Sequence, residues 1–153
     1  MLTINNLEDM KKFANVLVKN LNVGSLILLN GDLGAGKTTL TQFIGKSLGV
    51  KRTINSPTFN IIKSYRGSEL KLHHMDCYRL EDQEDDLGFD EYFEDKAIIV
   101  IEWSEFIKDL LPNDYLSITI NVKDENKRLI TIDAHGDEYK KIKGAVLHEL
   151  SSN

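Results

Sequence analysis

The sequence predicts an α/β fold in a single domain, residues 1–153, with a mixed, mostly parallel sheet flanked by helices and extended by antiparallel hairpin strands. Three observations carry this prediction. The runs "LILL" (26–29) and "AIIVI" (97–101) are apolar throughout, as strands buried on both faces must be. Each is followed by a stretch with helical spacing, the pattern of parallel strands joined through helices. Two further pairs of segments are rich in strand-forming residues around short turn-forming links, the mark of hairpins.

In chain order, Leu7, Met10, Phe13, Ala14, Leu17, Val18 and Leu21 recur at helical spacing, and Asn5 or Asn6 is placed to cap the start. Gly24 closes the connection to a buried strand over 25–30. A glycine-rich loop follows, then a helix over 37–49 that turns Leu40, Phe43, Ile44 and Leu48 inward and ends on Gly49. Pro57 breaks the chain within "SPTF" (56–59). Segments 59–67 and 69–80 form a hairpin about Gly67 and Ser68. The acidic stretch 81–95 reads as short helices and loop, anchored by Leu87, Phe89, Tyr92 and Phe93. The second buried strand spans 97–103, and a short helix over 105–111 stops before Pro112. Segments 115–122 and 128–136 make a second hairpin, and the tail over 138–150 is helical.

Composition narrows the function. With 41% hydrophobic and 28% charged residues, the chain buries a core rather than staying disordered. A lone cysteine, Cys77, excludes an internal disulfide and a cysteine-rich metal site, and fits a reduced cytoplasmic setting. The N-terminus lacks a signal-peptide pattern, and no run approaches the roughly 20 apolar residues that span a bilayer, so no membrane partner is expected. A formal net charge of -5 argues against free-standing nucleic-acid binding by bulk electrostatics.

The loop "GDLGAGKT" (31–38) matches G-x-x-x-x-G-K-[ST] in full, between a strand and a helix. Gly31, Gly34 and Gly36 let the backbone curl its N–H groups toward phosphate oxygens, and the helix start adds partial positive charge. Lys37 reaches the β- and γ-phosphates, and Thr38 offers its hydroxyl to Mg²⁺. The glycine order differs from the dinucleotide fingerprint. The ligand is therefore a nucleoside triphosphate with Mg²⁺. Adenine is favoured over guanine: "DDLG" (85–88) lies in an acidic stretch rather than at a strand end, and "NVKD" (121–124) has the guanine-motif letters in the wrong order.

Such a loop needs a carboxylate near its metal and a group that orients the attacking water. Glu102 ends the apolar strand, where a carboxylate has no packing role. Asp76 follows another strand and is the second candidate, with a turn cap as its structural alternative. His73 and His74 are adjacent, so in a strand they face opposite sides and do not share a metal. Cys77 reads as a small buried side chain. Arg79 is either structural or a phosphate contact, and the acidic run 81–86 is either a solvated face or a docking surface.

"GDLGAGKTT", "SPTF", "MDCYRL" and "IEW", in this order and at this length, together resemble the TsaE family, bacterial P-loop ATPases needed for threonylcarbamoyladenosine modification of tRNA. The resemblance runs from about the first helix to the second hairpin. It implies a P-loop NTPase-like fold with ATP and Mg²⁺ as cofactors. By resemblance, Leu33, Gly34, Ala35, Gly36, Lys37 and Thr38 hold the phosphates, Thr38 and Glu102 hold Mg²⁺, and Asp76 acts in hydrolysis. Trp103 lies near the nucleotide, Ser56 and Thr58 sit in a switch loop, and Glu105 contacts the nucleotide. Two departures are Cys77, where relatives usually have leucine, and Ser104, where proline is usual. The implied partners are TsaD and TsaB, with tRNA met through that complex.

Three functions remain in play. The first is an accessory ATPase with Lys37, Asp76 and Glu102 as its catalytic residues. The second is a small-molecule P-loop kinase, which phosphoryl transfer to metabolites would separate from release of free phosphate. The third is a nucleotide-gated binding module, favoured if Glu102→Ala left hydrolysis unchanged while Lys37→Ala abolished nucleotide binding.

Overall fold

The elements run β1 (Leu2–Ile4), α1 (Leu7–Asn20), β2 (Leu26–Asn30), α2 (Lys37–Ser47), β3 (Ile62–Arg66), β4 (Lys71–Asp76), α3 (Phe89–Phe93), β5 (Ala97–Glu102), a 3-10 segment (Ser104–Leu110), β6 (Tyr115–Val122), β7 (Arg128–His135) and α4 (Asp137–Ser151). They come from a computed structural model that describes residues 1–55, 57, 61–78 and 88–151. The strands form one α/β sheet in the order β1-β7-β6-β2-β5-β4-β3. Its centre is parallel, with β2 between β5 and β6 and β4 beside β5. Both flanks are antiparallel, from the hairpins β3–β4 and β6–β7 and from β1 against β7. The sheet is thus mixed, with the parallel strands gathered where the carboxylates end.

Strand alternation sorts the core onto two faces. Ile27, Leu29, Leu72, Ile98, Val100, Leu116 and Ile118 pack with Met10, Phe13 and Leu17 of α1, Leu40 and Ile44 of α2, and Ile142 and Val146 of α4. Leu26, Leu28, Met75, Cys77, Ile99 and Ile101 form a smaller cluster with Phe89 and Ile107. The buried Tyr139 of α4 accepts the Leu26 N–H at 2.8 Å, which ties the last helix to the central strand.

Local chemistry sets the boundaries. Asn6 caps α1: its side chain accepts the Asp9 N–H at 2.8 Å, and the Asp9 carboxylate accepts the Asn5 N–H at 3.0 Å, a reciprocal cap. Leu7, expected on the apolar face, is 67% exposed, because it sits in the first turn, ahead of Met10 where the helix meets the core. Phe43 of α2 and Leu48, which follows its last residue, are half-buried rather than fully inward. The helix expected over 105–111 is a 3-10 segment with non-helical backbone at Ile107. Its first turn closes through Phe106 N–H to Trp103 O at 3.3 Å, the tighter i to i+3 spacing. Strand β1 was not anticipated. Of the SPTF segment only Pro57 is described; Ser56 and Thr58, Arg79, the acidic run 81–86 and Leu87 lie outside the described residues.

Candidate active site

The glycine loop leaves β2 and enters α2 with backbone angles that side chains resist. Gly31 has φ 150°, and a Cβ there would stand 2.7 Å from the Ile120 carbonyl oxygen. Gly36, the residue before α2, has φ 115°, in the region that favours glycine. Ala35 is buried behind the loop. Its N–H bonds to Asp32 O at 3.0 Å, and its carbonyl accepts from Arg128 Nε at 3.0 Å. β7 thus clamps the loop from behind, while Leu33 at its tip is 89% exposed. The first N–H groups of α2 have no partner within the helix, which makes its start an anion site.

The parallel register pairs Asp76 with Glu102 at the ends of β4 and β5. Alternation then puts both carboxylates on the face that packs against α2, with Leu72 and His74 of β4 and Ile98 and Val100 of β5. Glu102 is 4% exposed, and Asp76 is half-buried. Lys37, the first residue of α2, brings its buried Nζ to 3.8 Å from Glu102 Oε1. The other oxygen of Glu102, Oε2, lies 2.7 Å from His74 Nε2. Asp76 accepts the Tyr78 N–H at 3.0 Å, so it also serves the turn after its strand.

Trp103 has φ 57°, a conformation that bulky side chains rarely adopt. The turn sets its ring 4.4 Å from Lys37 Nζ, in range of a cation–π attraction. Phe106 stacks on the indole at 6.1 Å, and Tyr78 meets it edge-on at 5.0 Å. A cleft of about 240 Å³ results, lined by Leu33, Gly34, Gly36, Lys37, Thr38 and Thr39 on one side and by Asp76, Glu102 and Trp103 on the other. A second cleft of about 490 Å³ shares Gly34, Gly36 and Thr39 with it and adds Ile4, Asn6, Leu7, Met10 and Arg128 among its walls.

Eight candidate residues therefore meet in one cleft: Leu33, Gly34, Gly36, Lys37, Thr38, Asp76, Glu102 and Trp103. Ala35 instead lines the second cleft. Glu105 is exposed on the 3-10 segment and does not line the first cleft. Burial, and then the negative charges of Asp76 and Glu105, push the Cys77 thiol up to about 12, which makes it a poor nucleophile at neutral pH. His73 points to the opposite face, away from Asp76 and Glu102, toward Ser64 and Asp95. The sequence reading missed His74 as a partner of Glu102 and Arg128 as the clamp of the loop. The signal for His74 is its place two residues before Asp76, which puts both on one face of a strand.

The donor set suits a hard cation. Thr38, Asp76 and Glu102 supply oxygen, the ligand type of Mg²⁺, which binds through one or two carboxylates and takes its other ligands from water and phosphate. Among the described residues no group of three or more His, Cys, Asp and Glu side chains could hold a metal.

Comparison with known proteins shows the family. The family model for "Threonylcarbamoyl adenosine biosynthesis protein TsaE" matches residues 4–130. The tRNA threonylcarbamoyladenosine biosynthesis protein TsaE of Bacillus subtilis is 43% identical over 135 residues, covering 88% of this chain and 85% of that one. The protein of the same name from Rickettsia felis is 43% identical over 141 residues, covering 90% and 82%. The crystal structure of Bacillus subtilis YdiB superposes with a TM-score of 0.84 at 34% identity, covering 97% of this chain and 93% of that one. The chain belongs to the TsaE family. Among the described residues no helix is long and apolar enough to cross a membrane.

Proposed function

We propose that this member of the TsaE family is a Mg²⁺-dependent ATPase that serves threonylcarbamoyl modification of adenosine 37 in ANN-reading tRNAs, acting in the cytoplasm on a complex of TsaB and TsaD. The observation that carries the reading is a single cleft in which Lys37 and Thr38 of the glycine loop face Asp76 and Glu102 at the ends of adjacent parallel strands. The loop backbone and Lys37 bind the triphosphate and offset its charge. Thr38 and Glu102 would hold Mg²⁺, which would supply positive charge to offset the negative charge that develops in phosphoryl transfer. Asp76 or Glu102 orients the attacking water.

Slow turnover by the isolated chain is expected if a partner completes the site. Among its lining residues Lys37 is the one cation, and no described arginine joins it. Other P-loop proteins accelerate when a partner supplies an arginine. Leu33, 89% exposed, and Tyr78, 56% exposed, stand beside the cleft as apolar surface for a protein partner.

Reconstitution tests the proposal. Unmodified tRNA, threonine, bicarbonate and ATP are incubated with TsaC, TsaB and TsaD, and modified adenosine is counted per TsaD. Multiple turnovers are expected only with this chain present. Equal yields without it, with partners of proven activity, would refute the accessory role. Phosphoryl transfer to a metabolite in place of phosphate release would point to a kinase.

A further inference from the structure

We infer that His74 is a positioning residue for Glu102: the ring holds one carboxylate oxygen by a hydrogen bond from Nε2 and so presents the other oxygen to Lys37 and the cleft. The inference rests on the reading of Glu102 as the carboxylate that serves the nucleotide-bound metal. His74 is fully buried, and its Nε2 lies 2.7 Å from Glu102 Oε2. In the sheet it stands opposite Val100, one diagonal step from Glu102 on the same face. The second oxygen, Oε1, is 3.8 Å from Lys37 Nζ.

The other ring nitrogen makes the case specific. Nδ1 is buried with no hydrogen-bond partner among the described residues. A proton on Nε2 gives Glu102 a donor and leaves Nδ1 as an unpaired acceptor. A proton on Nδ1 alone would bury an unpaired N–H and set the Nε2 lone pair against a carboxylate. The contact with Glu102 therefore calls for a proton on Nε2. A buried polar atom left unpaired costs stability and calls for an explanation. An apolar side chain would fill this place among Leu72 and Val100 without that cost, so the ring is explained by what Nε2 does. Carboxylates that bind metals are commonly oriented by a hydrogen bond to their outer oxygen, and losing that bond costs 10–100-fold in metal affinity or activity.

The test compares wild type with His74→Leu, which keeps apolar volume and removes the donor, and with His74→Gln, whose amide N–H can reach the carboxylate. Calorimetry measures ADP binding in EDTA and then Mg²⁺ binding to the ADP complex, and phosphate release gives kcat and KM for ATP. For His74→Leu, ADP affinity in EDTA and KM are expected to stay within about twofold, while Mg²⁺ affinity and kcat fall about tenfold or more. His74→Gln should recover most of both. An unchanged Mg²⁺ dependence in His74→Leu would overturn the inference and leave the ATPase reading standing. Loss of metal-free ADP binding in both variants would also overturn it, as a purely structural effect. A wild type with no Mg²⁺-dependent nucleotide binding would remove the ATPase reading and the inference together. Should His74→Leu fail to fold, ¹⁵N spectra of metal-free wild type decide: a proton on Nε2 is expected, and an unprotonated Nε2 contradicts it.

Discussion

His73 and His74 are neighbours in β4, yet they belong to different machinery. His73 enters the face covered by α3. Its Nδ1 pairs with Ser64 Oγ at 2.7 Å, its Nε2 with Asp95 Oδ2 at 2.8 Å, and Tyr92 meets the ring edge-on at 5.0 Å. Both nitrogens are satisfied, and the partners reach solvent. His74 enters the face covered by α2, with one nitrogen on Glu102 and the other unpaired. A fully paired buried ring rigidifies a fold, whereas a half-paired ring beside a cleft carboxylate signals a function that outweighs its cost. The two-residue period of a strand is what lets one short segment do both.

The contrast is testable face by face. The largest effect belongs to the α2 side. Lys37→Ala removes the loop cation that sits between Glu102 and Trp103, and ATP binding measured by calorimetry should fall at least about 100-fold. Weakening by less would mean that the loop backbone alone holds the phosphates. Next comes Gly31→Ala. Its Cβ would press on the Ile120 carbonyl at 2.7 Å from a backbone angle of 150°, costing about 1–3 kcal/mol in denaturant titrations and weakening nucleotide binding as the loop shifts. An unperturbed midpoint would show that the loop is not strained there.

On the α3 side the expected effects are on stability alone. His73→Leu frees Ser64 and Asp95 to meet water, so it should cost only about 1 kcal/mol and leave ATP turnover within about twofold of wild type. A collapse of turnover would erase the distinction between the faces. The smallest effect is electrostatic. The hydrogen bond from His73, and then the Lys96 N–H, hold the Asp95 carboxyl below its usual range. The folded state therefore binds that proton less readily than the unfolded chain. The stability from ionised Asp95 is present above the ordinary carboxylate range and is lost as pH falls through its lower folded value. Urea midpoints followed into acid should fall less steeply in Asp95→Asn than in wild type, and parallel curves would remove this contribution.

Much of the site was legible because its parts are local. A phosphate loop is a continuous run of residues with one strand before it and one helix after it, and both neighbours show in the apolar pattern. Glu102 stood out because five apolar residues lead into it. What bears on His74 is not local. Its contact needs β4 beside β5 in parallel with Asp76 opposite Glu102, and no pattern within either strand states that register. Arg128 is similar, since its bond to Ala35 spans 93 residues of chain. β1 has three residues, too few for a period of two, and it forms because β7 offers it an edge. The left-handed turn at Trp103 could not be read either, because a bulky residue in that conformation is held by its surroundings rather than preferred by its chemistry.

The account turns on Glu102 being the carboxylate of a Mg²⁺-dependent ATPase rather than a buried charge that only balances Lys37. The direct measurement is phosphate release from ATP, with and without Mg²⁺, by wild type and by Glu102→Gln, both verified as folded by circular dichroism. Mg²⁺-dependent release by wild type, reduced about 100-fold or more in Glu102→Gln, is the predicted result. Equal release by the two proteins, or release indifferent to Mg²⁺, would contradict it.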